Sequence, residues 1–438
     1  MPAADQTPLT EAERETLFAP VADAPRIALA VSGGADSLAL LDTIDRWRRR
    51  PDRPAVVVFT VDHRLRPESA AEAASVADVV RTRGLPVRVL VSTDPRPVAN
   101  VEAVARERRY RLLTEAAGAA GATHLLTAHH RDDQAETVLM RLKSGSGVFG
   151  LAGMRRMVDS GALTVFRPFL DVPRTRLAAT TAAAGLTPID DPMNRDRRFL
   201  RVRIREAMPA LKRAGLGAAD LAEAAERFAA AAVAIDGAVD ALIAEAVTVD
   251  RYATARVLQD AYADAPEAVR LRLLARMLMA VGGADYPPRY RRLQALDASL
   301  VDGPRRRTLG GVVIDPHRGA LRFYREFGRQ GLPHVPARSV STALWDRRFR
   351  VAVAADMPPD VSIGPVGLQA SSRERVRRPE GLPAAMVSVQ PGIWQRDRLI
   401  GAPTLSDRGR TPEDWSVVAT EVVSDRIAKP PLFPVFDR

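Results

Sequence analysis

Short apolar runs alternate with amphipathic segments through the first third of the chain. Residues 26–31 (Arg-Ile-Ala-Leu-Ala-Val), 55–61 (Ala-Val-Val-Val-Phe-Thr-Val), Val87–Val91 and His124–Ala128 read as strands. The second is apolar throughout, as expected of a parallel strand covered on both faces. Between them, 37–49, 68–83, 101–117 and Asp132–Lys143 carry apolar residues at helical spacing, with Leu38, Leu41 and Ile44 on one face of the first. Gly84-Leu85-Pro86 stops the second helix. Strand and helix alternate with short links, which predicts an α/β fold with a doubly wound, mostly parallel sheet.

The pattern changes near residue 200. Residues 217–247 are Ala-rich with acidic residues at helical spacing, and 265–281 and 288–300 also read as helices. Residues 308–324 read as a hairpin around Pro316–Gly319. Beyond about 335, Pro and Gly are frequent and the apolar runs Phe349–Ala354, Ala385–Val389 and Leu399–Ala402 are short, which predicts a β-rich region. The expected organisation is a catalytic domain over 1–215, a helical basic domain over 216–334 and a small β-rich domain over 335–438.

Charge sharpens this division. The chain has 438 residues and a formal net charge of +11. Residues 251–350 hold 19 basic and 9 acidic residues, so +10 of the excess lies in that window. Arg305-Arg306-Arg307 is among its densest runs. Codon bias accounts for arginine over lysine, but not for basic over acidic, and the window points to a polyanionic partner such as nucleic acid. The chain contains no cysteine, which excludes disulfides, Cys-ligated metal and thiol or persulfide chemistry. No apolar stretch is long enough to span a membrane. The N-terminus, with Asp5, Glu11, Glu13 and Glu15, has no basic or apolar signal region. A cytoplasmic location with no membrane partner is expected.

Three polar clusters follow the apolar runs. Ser32-Gly33-Gly34-Ala35-Asp36-Ser37 opens a helix directly after a strand. Glycines there allow close backbone approach, and a helix N-terminus offers amide donors to an anion. The plainer alternative is a capped βα turn, and no Walker lysine follows. His129-His130-Arg131-Asp132-Asp133-Gln134-Ala135-Glu136-Thr137 sits at another strand end, where open α/β sheets place ligands. Asp133 and Glu136 share a helix face, fit to bind an amine or a cation, while Asp132 has the place of a helix N-cap. Asp62-His63 ends the second strand and is either a ligand-facing edge or a polar loop.

Together these clusters resemble the N-type ATP pyrophosphatases, or PP-loop ATPases, whose hallmark is Ser-Gly-Gly-x-Asp-Ser. Within that superfamily the run from Leu125 to Met154, including Gly145-Ser146-Gly147-x-x-Gly150-Leu151-Ala152-Gly153-Met154, is similar to the tRNA(Ile)-lysidine synthetase family. So are Asp191-Pro192-Met193-Asn194 through Phe199, Arg201 and Arg205, and Glu102 through Arg106, Arg109 and Tyr110. The resemblance spans about residues 25–215 and is architectural beyond.

The resemblance implies a Rossmann-like PP-loop domain that joins L-lysine to C2 of the wobble cytidine of tRNA(Ile) with a CAU anticodon. ATP adenylates the base, and AMP and pyrophosphate are released. It implies ATP binding by Ser32, Gly33, Gly34, Ala35, Asp36, Ser37, Asp62 and His63, with Asp36 a candidate Mg²⁺ ligand. Asp133 and Glu136 would grasp the lysine, His129 or His130 would handle protons, and Arg106 or Arg109 would meet the phosphates or the adenylate. Asn194, Arg201 and Arg305–Arg307 would contact tRNA, and the Gly145–Met154 loop would move over the substrate. The rivals are another PP-loop tRNA-modifying or ammonia-using enzyme, and a non-catalytic tRNA-binding protein. The absence of cysteine weighs against thiolation and glutamine amidotransfer.

Overall fold

The computed structural model describes residues 6–64, 66–94, 101–159, 163–190, 195–337, 342–353, 357–368, 378–405 and 417–428. Two compact units divide the described residues: those up to 232, and those from 233 onward.

The first unit is built on a six-stranded sheet of order β3-β2-β1-β4-β6-β5. Its strands are β1 (Arg26–Ala30), β2 (Ala55–Asp62), β3 (Val87–Val91), β4 (His124–Leu126), β5 (Met157–Asp159) and β6 (Thr164–Phe166). All neighbours pair parallel except β5, which runs antiparallel to β6. The helices are α1 (Glu11–Phe18), α2 (Ala35–Trp47), α3 (Ser69–Arg81), α4 (Val101–Ala119), α5 (Arg131–Lys143), α6 (Val148–Leu151), α7 (Arg174–Ala183) and α8 (Leu200–Arg213). The apolar runs become buried strands because helices cover them. Ile27, Leu29, Val56, Val58 and Leu126 share a core with Leu38, Leu41 and Ile44 of α2 and with Phe18, Trp47 and Phe169.

Strand order reverses at β1, whose neighbours are β2 on one side and β4 on the other. Ligands of open α/β sheets bind at such a switch point, beyond the strand ends. The loop after β1 holds Ser32–Ser37 and the loop after β4 leads into His129–Glu136. Topology therefore sets two clusters side by side that lie almost a hundred residues apart in sequence.

In the second unit, helix Glu267–Gly282 is buried along nearly its whole length. Its Leu274, Met277, Leu278 and Val281 share one core with Val312, Ile314, Leu321 and Phe323 and with Trp345, Phe349, Ile363, Ile393 and Ile427. Residues on both sides of position 335 thus contribute to the same core. Among the described residues, three antiparallel sheets of five, four and three strands contribute to it. The expected hairpin is Val312–His317 against Ala320–Arg325. One expectation fails: the Ala385–Val389 run is no strand, since Ala384–Val387 forms a short helix opened by Pro383. Pro fixes φ and lacks an amide donor, so it suits the start of a helix.

The basic window is also less exposed than its count suggests. Arg272 and Arg276 are buried against Asp236, with Asp240 also pairing Arg276. Arg270 pairs with buried Asp297, and Arg348 with Asp346. These guanidiniums hold the unit together. Arg305, Arg306 and Arg307 are exposed.

Candidate functional site

The loop after β1 is shaped by its glycines. Gly33 has φ +86°, and a Cβ there would come within 2.6 Å of Ile189 Cδ1 and 2.9 Å of Val76 Cγ2. Position 33 therefore needs glycine for both conformation and space. Gly34 is the N-cap of α2 and no side chain caps that helix, which leaves the positive end of its dipole toward the loop. The Ser37 hydroxyl is spent inside the loop: it donates to the Gly34 carbonyl at 2.8 Å and accepts from the Ser32 amide at 3.2 Å. Asp36 stands in the first turn, and its Oδ1 is buried without a hydrogen-bond partner.

The N-cap of α5 is His130, not Asp132 as its position suggested. The Asp133 amide donates to His130 Nδ1 and the His130 amide donates to Asp133 Oδ2, both at 3.2 Å. This is a capping box with an imidazole in place of the usual hydroxyl. Asp132 instead accepts from the Arg174 amide at 2.9 Å, tying α5 to the start of α7. With Nδ1 accepting, the neutral ring carries its proton on Nε2, which lies 3.5 Å from Asp36 Oδ2 and 3.3 Å from Asp133 Oδ2. Burial opposes the charged ring, but the carboxylates of Asp133, Asp36 and Asp132 outweigh it and raise the His130 pKa.

His129 has the opposite setting. Burial and the cations of Arg106 and Arg167 push its pKa well below the usual value, so the ring stays neutral. A guanidinium only donates, so His129 Nε2 accepts from Arg106 at 3.4 Å and Nδ1 donates to the Thr127 hydroxyl at 2.9 Å. Arg109, half-buried beside Arg106 on α4, has its pKa lowered by burial and then by Arg106 and Arg201, with Tyr110 opposing.

Asp133 and Glu136 do share a face of α5, and α8 supplies their counter-ions. Glu136 is only 2% exposed; its Oε1 accepts from Arg205 Nε at 2.7 Å and its Oε2 from Arg201 Nε at 2.9 Å. Arg201 Nη2 also lies 3.7 Å from Asp133 Oδ1. Burial raises the Asp133 pKa, but the His130 ring, the Arg201 guanidinium and the hydrogen bond from the His130 amide overcome this and hold it well below the carboxylate range. Arg205 is a further site residue that the resemblance gives no role; its four-residue spacing from Arg201 puts both on one helical face.

Other expected residues are placed differently. Asp62 is buried, and its Oδ1 accepts from the Arg64 amide at 2.9 Å and the Ser69 hydroxyl at 2.6 Å, shaping the turn into α3. His63 follows it, half-buried. Asn194 lies outside the described residues. The Gly145–Met154 segment is no free loop. It contains α6, the Gln134 side chain exchanges hydrogen bonds with the Met154 backbone at 2.7 and 3.0 Å, and Arg141 donates to the Gly150 and Gly153 carbonyls. Gly153, at φ +64°, lets the chain approach the Gln134 amide where a Cβ would meet it at 2.7 Å.

Comparison with known proteins agrees with this geometry. A PP-loop domain model, from an ATP-binding family, matches residues 7–211, which include both loops. A tRNA(Ile)-lysidine synthase of Rhodopseudomonas palustris is 42% identical over 350 residues, covering 74% of this chain and 100% of the relative. That of Methylobacterium nodulans is 46% identical over 313 residues, covering 68% and 90%. That of Bradyrhizobium diazoefficiens is 39% identical over 355 residues, covering 76% and 96%. Among the described residues no helix is long and apolar enough to cross a membrane. The identities extend well past the PP-loop domain into the second unit, and the chain belongs to the tRNA(Ile)-lysidine synthase family.

Proposed function

We propose that this chain ligates L-lysine to C2 of the wobble cytidine of tRNA(Ile) bearing a CAU anticodon, through an adenylated cytidine, releasing AMP and pyrophosphate. The observation that carries the reading is the meeting of an anion-accepting loop, Ser32–Ser37, with a buried carboxylate cluster at Asp133, across one sheet switch point. ATP occupies the first and the lysine amine the second.

Cytosine O2 is a poor leaving group, and adenylation replaces it with AMP. Fixed donors that need no rearrangement stabilise the charge that develops, here the amides at the α2 N-terminus and the half-buried Arg109. Oδ1 of Asp36 accepts no hydrogen bond, its nearest cation being Arg174 Nε at 4.0 Å, and it is an oxygen donor of the kind a divalent cation takes. Asp36 would hold Mg²⁺, which when bound supplies positive charge against the departing pyrophosphate. An amine with an ordinary pKa of about 10.4 must lose a proton before it attacks. Asp133, kept ionised, binds the lysine ammonium, and its neighbour His130 takes part in moving that proton. Glu136 works through Arg201 and Arg205, which it orients toward the same cluster. The exposed Arg305–Arg307 run meets tRNA phosphates.

The test is incorporation of tritiated lysine into a CAU-anticodon tRNA transcript, with and without ATP. ATP-dependent label in the tRNA supports the reading. Label absent while ATP is still cleaved would favour another reaction of the same superfamily.

A further inference from the structure

Tyr110 is fully buried on α4, and two guanidiniums lie over its ring. The Arg106 guanidinium carbon lies 5.5 Å from its ring centre and that of Arg109 lies 5.6 Å away. Its hydroxyl faces the charge of Arg167, itself 2% exposed. Arg167 is held in turn by the Arg155 carbonyl at 2.8 Å. Neither Arg106 nor Arg109 pairs with a carboxylate among the described residues, and Arg106 Nε is buried without a hydrogen-bond partner. Half-buried guanidiniums without a counter-ion are partly desolvated and uncompensated, and such a cluster is suited to an anion that arrives later. An aromatic face offsets part of that cost through its quadrupole while adding no competing negative charge. The cluster is tied to the site, because Arg106 contacts His129 and the next residue, His130, faces Asp36.

We infer that Tyr110 is a positioning residue for the adenylation step, holding Arg106 and Arg109 in place for a phosphoryl group. This rests on the reaction proposed above. In that step cytosine O2 bonds to the α-phosphorus of ATP, the bond to the bridging oxygen breaks, and the electron pair leaves with pyrophosphate. The two guanidiniums meet the charge that builds on the non-bridging oxygens. Tyr110 touches no reacting atom; it fixes where those charges stand.

The experiment replaces Tyr110 with phenylalanine and with phenylalanines carrying one, two or three ring fluorines, which withdraw electron density with little change of shape. Single-turnover pyrophosphate release, KM for ATP and lysine, and thermal melting are measured on the full chain with tRNA. Phenylalanine should keep the rate within about fivefold, and each fluorine should lower it further, reaching about tenfold below phenylalanine at three. Melting temperature and both KM values should stay flat. A rate that does not respond to fluorination overturns the role, as does wild-type kcat in a folded Tyr110→Leu chain. The unsubstituted chain separates the two claims. Failure to form lysidine overturns the reaction, whereas lysidine formation with a flat fluorine series overturns only the role of Tyr110.

Discussion

His130 Nε2 lies 3.5 Å from Asp36 Oδ2, joining the loop after β1 to the cap of α5. One imidazole thus has two jobs: Nδ1 caps a helix and Nε2 faces the carboxylates. The jobs can be separated. Asn is a good N-cap, so His130→Asn should keep stability within about 0.5 kcal/mol while lysine incorporation falls. His130→Ala should lose the activity and about 1 kcal/mol as well. Thermal melting and label incorporation on the same preparations check this. Full activity in His130→Asn would reduce the histidine to a cap.

Asp133 is the carboxylate proposed to hold the lysine amine. Asp133→Asn keeps the shape and an oxygen for the His130 amide but removes the charge. A hydrogen bond to a charged group contributes about 1.5–3 kcal/mol, so lysine KM should rise about 10- to 100-fold. KM for ATP should change little. A normal lysine KM and turnover would remove Asp133 from the lysine site.

Glu136 is the most buried charge in the cluster and accepts from two arginines. Removing one partner of a buried pair strands the other, at about 3–5 kcal/mol. Both guanidiniums here reach partly to solvent, so Glu136→Ala should cost nearer about 3 kcal/mol in urea unfolding. Glu136→Gln, which still accepts hydrogen bonds, should cost less. Equal stability in both variants and the parent would mean the arginines find other partners.

The contrast between these residues and the sheet shows what a sequence can reveal. The strands were readable because burial on both faces demands continuous apolar runs, and the helices because one face alone is buried. The Ser32–Ser37 loop was readable because its glycines serve a local need. The pairing of Glu136 with Arg201 and Arg205 was not, because the partners lie on different helices 65 and 69 residues away. The His130 cap was missed because Asp132 fits the usual cap preferences and histidine does not. Mobility was expected of Gly145–Met154 from its glycines, yet those at 150 and 153 serve close packing against Ser146 and Gln134. Arg272 and Arg276 looked like part of a basic surface because their partners at 236 and 240 fall outside the window counted.

Acid stability has a specific source at the N-terminus. Arg176 grips Glu13 through two hydrogen bonds, at 2.5 and 2.9 Å, and, with the Thr10 amide and hydroxyl adding to it and burial opposing, lowers its pKa from an ordinary 4.5 to about 2. A depressed carboxylate pKa stabilises the fold above the unfolded value and loses that contribution as pH falls through the folded one. The window is therefore about 4.5 down to about 2. Glu13 is over a third exposed, so the contribution at neutral pH is discounted for solvent to about 1 kcal/mol. Arg176→Met should be less stable than the parent by that amount at pH 7, and the gap should close as pH drops through the window. A gap that persists at the acid end would point to lost packing of the arginine stem.

The exposed Arg305–Arg307 run carries the sharpest prediction for the second unit. Phosphate contacts release counterions, so log K falls with log salt in proportion to their number, by about 0.7–0.9 per contact. Replacing all three arginines with alanine should weaken tRNA binding at low salt and flatten the slope by about 2 if all three make contact. Arg272 and Arg276 bear the same formal charge but are spent on Asp236, so their replacement should unfold the unit rather than change the slope. KM for ATP should be unaffected in the surface variant, since the ATP loop lies in the other unit. Filter binding over a salt series reads the slope directly. An unchanged slope and affinity would show that tRNA is held elsewhere, and that the charge of residues 251–350 serves mainly internal ion pairs.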